Sequence, residues 1–233
     1  MPPHSASRRL ELVDGQSSRL QSEAGVTEGP AIPVQHERST SRPVGAAFCG
    51  VASVGCALAV WLAVLHHRAH AGDAGASFCA IDSRLDCDAI ALSPSSVFMG
   101  APVAVWGLLG YAVMAALAVT GVTSRRLHPG WPAGILLCLT TGSVAVSMRL
   151  AWISEVQIRS LCLLCIACWT VNALLAALAW WMARRHGGPR LCVRDDLRAL
   201  RDSPLAAGAA VATVALTALS IATRYPAYWT TIP

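Results

Sequence analysis

Five long apolar runs, none interrupted by a charged side chain, constrain this chain more than any motif: Val44–Leu65, Val97–Thr120, Trp131–Met148, Leu161–Met182 and Leu205–Ala222. Each is about 18–24 residues long, against the roughly 20 that carry a helix across a hydrocarbon core. Backbone N–H and C=O groups find no water there, so a spanning segment must satisfy them internally, and runs this long and evenly apolar do so as helices. Only 13% of the residues are charged, about half the share typical of a soluble domain. The fold class expected is all-α integral membrane: a bundle of four transmembrane helices plus a fifth.

All 18 basic residues are arginine, and their placement predicts an orientation. With the N-terminus in the cytosol, that side receives Arg8, Arg9, Arg19, Arg38, Arg42, Arg125, Arg126, Arg184, Arg185, Arg190, Arg194, Arg198 and Arg201. The other side holds Arg68, Arg84, Arg149, Arg159 and Arg224. This is the positive-inside bias. The net charge of +5 then reports topology and contact with the lipid bilayer, with no nucleic acid as partner. The expected location is the inner (cytoplasmic) membrane, multi-pass.

Residues 1–43, rich in Ser, Glu, Gly, Pro and Arg, are expected to be a disordered cytosolic tail. No signal-peptide pattern precedes Val44, so the first run is expected to be an uncleaved anchor. Residues 44–183 would be the four-helix bundle and 184–203 a basic cytosolic loop, broken at Gly187-Gly188-Pro189. The fifth helix would occupy 204–223, and 224–233 an outer tail with Tyr225, Tyr228 and Trp229 as interfacial anchors. Pro102 suits a first helical turn, where its missing N–H costs nothing. Arg149–Ser160 reads as a brief outer loop.

The chemistry lies in the cysteines. Cys79 and Cys87 flank a polar stretch in the loop between the first two runs, while Cys162 and Cys165 form a C-x-x-C at the mouth of the fourth. The orientation puts all four on the outer, oxidising side. A thiolate is the attacking species in disulfide exchange, and a helix N-terminus stabilises one. Spacing of three also sets Cys162 and Cys165 on one helix face, within disulfide reach. Two readings remain for each pair: redox couple or packing hydrophobes for Cys162 and Cys165, shuttle or structural loop disulfide for Cys79 and Cys87. Asp82, Asp86 and Asp88 should raise nearby thiol pKa values, which suits a relaying role for the loop pair.

On Cys79-x7-Cys87, Ser93-Pro94 with Gly100-x-Pro102 downstream, and Cys162-x-x-Cys165, the chain resembles the bacterial branch of the vitamin K epoxide reductase family over roughly residues 44–183. The resemblance implies a four-helix bundle holding a quinone beside the C-x-x-C and oxidising a thioredoxin-fold partner that makes disulfides in secreted proteins. Carried over, Cys79 exchanges with the partner, Cys87 attacks the Cys162 sulfur, and Cys165 delivers electrons to the quinone. Ser93 matches a serine or threonine near that quinone. Trp169 stands where vertebrate members carry tyrosine, which alters the ring contacts expected there. Many bacterial members fuse a thioredoxin-like domain after the fifth helix. Here the partner is expected to be a separate thioredoxin-fold thiol oxidase on the outer face.

Other residues leave their roles open. Asn172 can donate to a quinone oxygen or bond another helix, and Trp106 and Trp169 suit bundle packing as well as ring contact. Cys49, Cys56, Cys138 and Cys168 read as packing, Cys192 as a free cytosolic thiol, and His66, His67 and His70 as a solvated interfacial cluster. The activity expected is thiol:quinone oxidoreduction, with menaquinone favoured by a composition typical of GC-rich genomes and ubiquinone the other candidate. The rivals are a soft-metal carrier using thiolates such as Cys168 and a scaffold with structural disulfides only. An ion-coupled transporter would need ionisable residues mid-span.

Overall fold

The computed structural model describes residues 34–73, 77–79, 81–82, 84–123 and 130–230. The expected tail up to residue 33 and the Arg125–Arg126 turn lie outside them. Five helices are long and apolar enough to span a membrane: Pro43–Gly72, Val103–Thr123, Ala133–Ile158, Leu163–Arg185 and Pro204–Thr230. The protein is an all-α, multi-pass membrane protein.

The elements run α1 (Val34–Arg68), α2 (Cys87–Ala91), β1 (Val97–Phe98), β2 (Ala101–Pro102), α3 (Val103–Thr123), α4 (Ala133–Ile153), α5 (Leu163–Arg185), α6 (Pro189–Asp202) and α7 (Pro204–Arg224). Outward faces of the spans stay apolar, as Val54, Trp61 and Val64 on α1 and Val146 and Met148 on α4 show. A helix apolar on all sides fits a hydrocarbon surround. The interior is a stripe from each of the first four spans: Phe48, Ala52 and Ala59; Tyr111, Met114 and Ala118; Leu136; Val171, Leu175, Ala179 and Ala183. Small residues in these stripes let backbones approach closely, which is how helices associate in lipid. Gly55 shows how close the approach is, since a Cβ there would lie 2.6 Å from the Tyr111 ring.

The structure departs from the sequence expectations at the ends of the runs. The second span starts at Val103 rather than Val97. Residues 97–102 fold instead into an antiparallel two-stranded hairpin, with Val97 paired to Pro102 and Phe98 to Ala101. Met99 and Gly100 turn it with φ of 47° and 78°, and Pro102 stands in β2, one residue before the helix. Residues 34–43, assigned to the tail, form the start of α1. Arg149–Ser160 is largely helical: α4 runs to Ile153 and continues as a wider turn over Ser154–Ile158, ended by left-handed Arg159.

The stretch 184–203 holds a further helix. α5 stops at Arg185, Gly187 and Gly188 turn with positive φ, and Pro189 opens α6. α6 is amphipathic. It packs on the start of α4, where fully buried Asp196 accepts hydrogen bonds from Gly134 N (2.7 Å) and Ile135 N (3.0 Å). The carboxylate thereby satisfies orphan donors at the positive end of α4. Cys192 is a buried free thiol on the same face, and burial raises its pKa. Cys138, assigned to packing, is exposed on α4. α7 buries no residue.

Candidate active site

Two short devices order the loop that carries Cys79 and Cys87. The Asp82 carboxylate accepts from Arg84 N (2.7 Å) and Leu85 N (2.8 Å), closing an Asx-type turn. Those bonds hold the Asp82 carboxyl below its usual range. Asp86 then N-caps α2, accepting from Asp88 N (2.8 Å) and Ala89 N (3.1 Å), so Cys87 becomes the first helical residue. The described residues of the polar stretch between Cys79 and Cys87 are held by its own carboxylates.

Across the site, Cys162 is the N-cap of α5 and its Sγ accepts from Cys165 N at 3.3 Å. The Cys165 thiol, together with the N–H groups of Cys165 and Leu164, holds the Cys162 thiol below its ordinary pKa against the opposing pull of burial and of Asp88. Of the three carboxylates expected to raise thiol pKa values, Asp88 acts this way, while Asp82 and Asp86 are occupied as caps.

A backbone bridge joins the two halves. Leu161 N donates to Arg84 O at 2.7 Å and Asp86 N to Leu161 O at 3.0 Å, a parallel pairing of Leu85 with Leu161. Cys162 follows Leu161 directly, and Cys87 lies two residues beyond Leu85. The bridge thus docks one dithiol on the other. Cys79, Cys87 and Cys162 are 1%, 1% and 2% exposed in one apolar cluster with Leu65, Ala69 and Ala91, and Cys165 packs against it. Cys79 and Cys87 are joined by a disulfide, whereas Cys162 and Cys165 are free thiols. Cys79, expected to face a partner, is sheltered in this closed arrangement.

Ser93, Trp169 and Asn172 are less tightly gathered. Ser93 follows α2 and its hydroxyl donates to Ile90 O (2.7 Å). Asn172 lies seven residues after Cys165, about 10 Å further along α5 at 1.5 Å per residue. Its Nδ2 donates to Ser147 Oγ on α4 at 2.8 Å, the interhelical bond that was one of its two expected roles. Its buried Oδ1 has no partner among the described residues. Reversing the amide lets Ser147 donate to Oδ1 and aims Nδ2 where the orphaned oxygen now points. A quinone carbonyl needs such a buried donor, so this position fits the cofactor. Trp169 is half-buried. A cavity of about 250 Å³ borders the cysteine cluster, lined by α1 residues including Leu65 and Arg68 and by Ser77, Phe78 and Asp88. Ser93, Trp169 and Asn172 do not line it.

The histidines depart most from expectation. His66 is 4% exposed rather than solvated, bonded through both ring nitrogens to Tyr228 and Ser96. A run of histidines at a span end signals an interface; only the return of the chain after α7 buries one of them.

Comparison with known proteins agrees with this geometry. The model of the Vitamin K epoxide reductase family matches residues 46–180, more than half of the chain. No curated protein matches it.

Proposed function

The chain belongs to the vitamin K epoxide reductase family, and from that premise we propose a route for its electrons. Members are membrane thiol:quinone oxidoreductases, and so is this protein. The proposal concerns the path, the partner and the side of the membrane. Residues 44–183 form the catalytic bundle. The cysteine end faces the oxidising side and the N-terminus the cytosol, in keeping with the arginine distribution. The partner is a thioredoxin-fold thiol oxidase whose reduced dithiol is the substrate.

In the first exchange a partner thiolate attacks Cys79, forming a mixed disulfide and releasing Cys87 as thiolate. The partner's second thiolate resolves that mixed disulfide, leaving the partner oxidised and Cys79 and Cys87 reduced. Cys87 then attacks Cys162 of an oxidised Cys162–Cys165 pair, releasing Cys165, and Cys79 resolves the Cys87–Cys162 bond. The net transfer is two electrons, from partner to C-x-x-C, with the loop disulfide restored. The low pKa of Cys162 makes it a good leaving group when that pair must re-form the reduced state. The bound quinone supplies the terminal oxidant, taking two electrons and two protons. Ser93, Trp169 and Asn172 are the residues that would hold it, with the reversed Asn172 amide as the donor for a carbonyl. Menaquinone is favoured over ubiquinone on composition. A strongly oxidising partner lies at about −120 mV, where each 30 mV is worth about 1.4 kcal/mol, so a quinone of higher potential drives the sequence forward.

The observation that carries this reading is the Leu85–Leu161 bridge, which holds both dithiols in one buried cluster. Single serine variants test it, with quinone reduction followed by absorbance. Cys162→Ser and Cys165→Ser should abolish turnover with any dithiol. Cys79→Ser and Cys87→Ser should lose turnover with the protein substrate but retain part of it with dithiothreitol. Cys79→Ser should accumulate a Cys87–Cys162 cross-link on non-reducing gels. Full activity in Cys165→Ser ends the proposal.

A further inference from the structure

The outer end of α1, the turn after α2 and the segment after α7 meet at one imidazole. Tyr228 OH lies 2.6 Å from His66 Nδ1, and His66 Nε2 lies 3.1 Å from Ser96 Oγ. Ser96 Oγ in turn donates to Ser93 O at 2.7 Å. Since the Ser96 hydroxyl proton is committed to Ser93 O, the oxygen of Ser96 accepts from Nε2–H, and Nδ1 accepts from Tyr228. One tautomer satisfies every member, and the chain of bonds runs in a single direction from Tyr228 to Ser93. His70 stacks on His66 at 4.4 Å and donates from Nδ1 to the His66 carbonyl. A buried imidazole costs free energy unless it is bonded; this one is bonded to residues 30 and 162 positions away.

The end of α7 is held against the bundle at this level. A Cβ on Gly100, at the tip of the hairpin, would lie 2.8 Å from Ala222 O. With no buried residue along its length, α7 makes its specific contribution where it ends. The turn that His66 grips closes α2, whose first residue is Cys87, and contains Ser93.

We propose that the segment after α7 serves the redox centre: Tyr228 orients His66, and His66 holds the Ser93–Ser96 turn, which makes His66 a positioning residue for quinone reduction. This rests on Ser93 bordering the quinone. The fifth span is then a tether that delivers Tyr228, and the catalytic bundle depends on it without sharing its core.

The test uses the full chain in detergent, dithiothreitol as reductant and a short-chain menaquinone analogue as acceptor. His66→Asn keeps an acceptor for Tyr228 but cannot reach Ser96; His66→Gln places its amide where Nε2 lies. One hydrogen bond is worth about 0.5–1.5 kcal/mol, so His66→Asn should raise the quinone KM by about 2- to 13-fold while kcat stays within about 2-fold. His66→Gln should restore KM. Ser96→Ala loses the same bond together with the one to Ser93 O, so it should raise KM at least as much as His66→Asn, and the double variant should be no worse than Ser96→Ala alone. Tyr228→Phe, which preserves shape, should raise KM in the same direction and serves if His66→Asn does not fold.

Unchanged KM in folded His66→Asn and Tyr228→Phe, with only the melting temperature lowered, would overturn the inference. So would additive losses in the double variant. Ser93→Ala separates the two claims. A raised KM in Ser93→Ala beside an unchanged one in His66→Asn refutes the positioning role alone. An unchanged KM in Ser93→Ala refutes the Ser93 assignment and this inference with it, while the cysteine route stands or falls on the serine variants above.

Discussion

The docking of the loop dithiol depends on one carboxylate that does no chemistry, and Asp86→Ala isolates its effect. Asp86 Oδ1 accepts both Asp88 N and Ala89 N, and these are the bonds that make Cys87 the first residue of α2. Losing an N-cap costs about 0.5–2 kcal/mol, typically about 1. The equilibrium constant for the ordered α2 should then fall by about 2- to 30-fold. The cap is not needed for Cys162 and Cys165, which belong to α5. Turnover with a reduced thioredoxin-fold partner should therefore drop within that range, while turnover with dithiothreitol, which can reduce the C-x-x-C directly, should change by less than about 2-fold. Asp86→Asn should keep most of the partner-driven rate, since asparagine caps about as well as aspartate. The assay is quinone absorbance under both reductants in one preparation. Equal losses with the two reductants, or none with the protein, would refute the claim that capping of α2 controls transfer between the dithiols.

Other predictions concern the remaining polar contacts. The thiolate of Cys162 should form below the pH of an ordinary thiol, read as the midpoint of its alkylation rate against pH; Asp88→Asn should lower that midpoint further, and Cys165→Ala should raise it, because these remove an opposing and a supporting influence. With the folded pKa depressed, the thiolate favours the fold above the unfolded thiol's pKa, and that contribution is lost as pH falls through the folded value. Asp196→Ala should destabilise the detergent-solubilised protein by about 2–4 kcal/mol, since it strips acceptors from two N–H groups at the start of α4. Reversible unfolding measures this, and a loss below about 0.5 kcal/mol would contradict the capping role. Gly55→Val should impair folding more than Gly50→Val, because a side chain at 55 meets the Tyr111 ring while position 50 faces open space.

Much of the architecture was legible because each span advertises the solvent it requires. Eighteen or more uncharged apolar residues cannot be left in water and need not form a shared core to be read. The C-x-x-C at the mouth of the fourth span was equally local, since a helix start and a spacing of three are properties of a few consecutive residues. The same logic failed at Val97–Pro102, where apolar content is blind to the difference between a helical turn and a hairpin. There the positive φ of Met99 and Gly100 turned the chain back. At 189–202 the abundance of charge suggested a loop, although Cys192 and Asp196, four apart, were a sign of one buried helical face.

What no local pattern carried was which distant groups meet. Arg84 and Leu161 bond across 77 positions, and His66 and Tyr228 across 162. Such pairs exist only after the helices have packed, and their partners are chosen by where each helix happens to end. Burial of His66 is the clearest instance: hydropathy placed it at an interface, and the returning chain after α7 then covered it. Apolar runs set the number of crossings and the cysteine spacing set the chemistry, because both act within one segment. Whether the two dithiols touch is a property of helix ends converging on one face of the bundle, and only packing settles that.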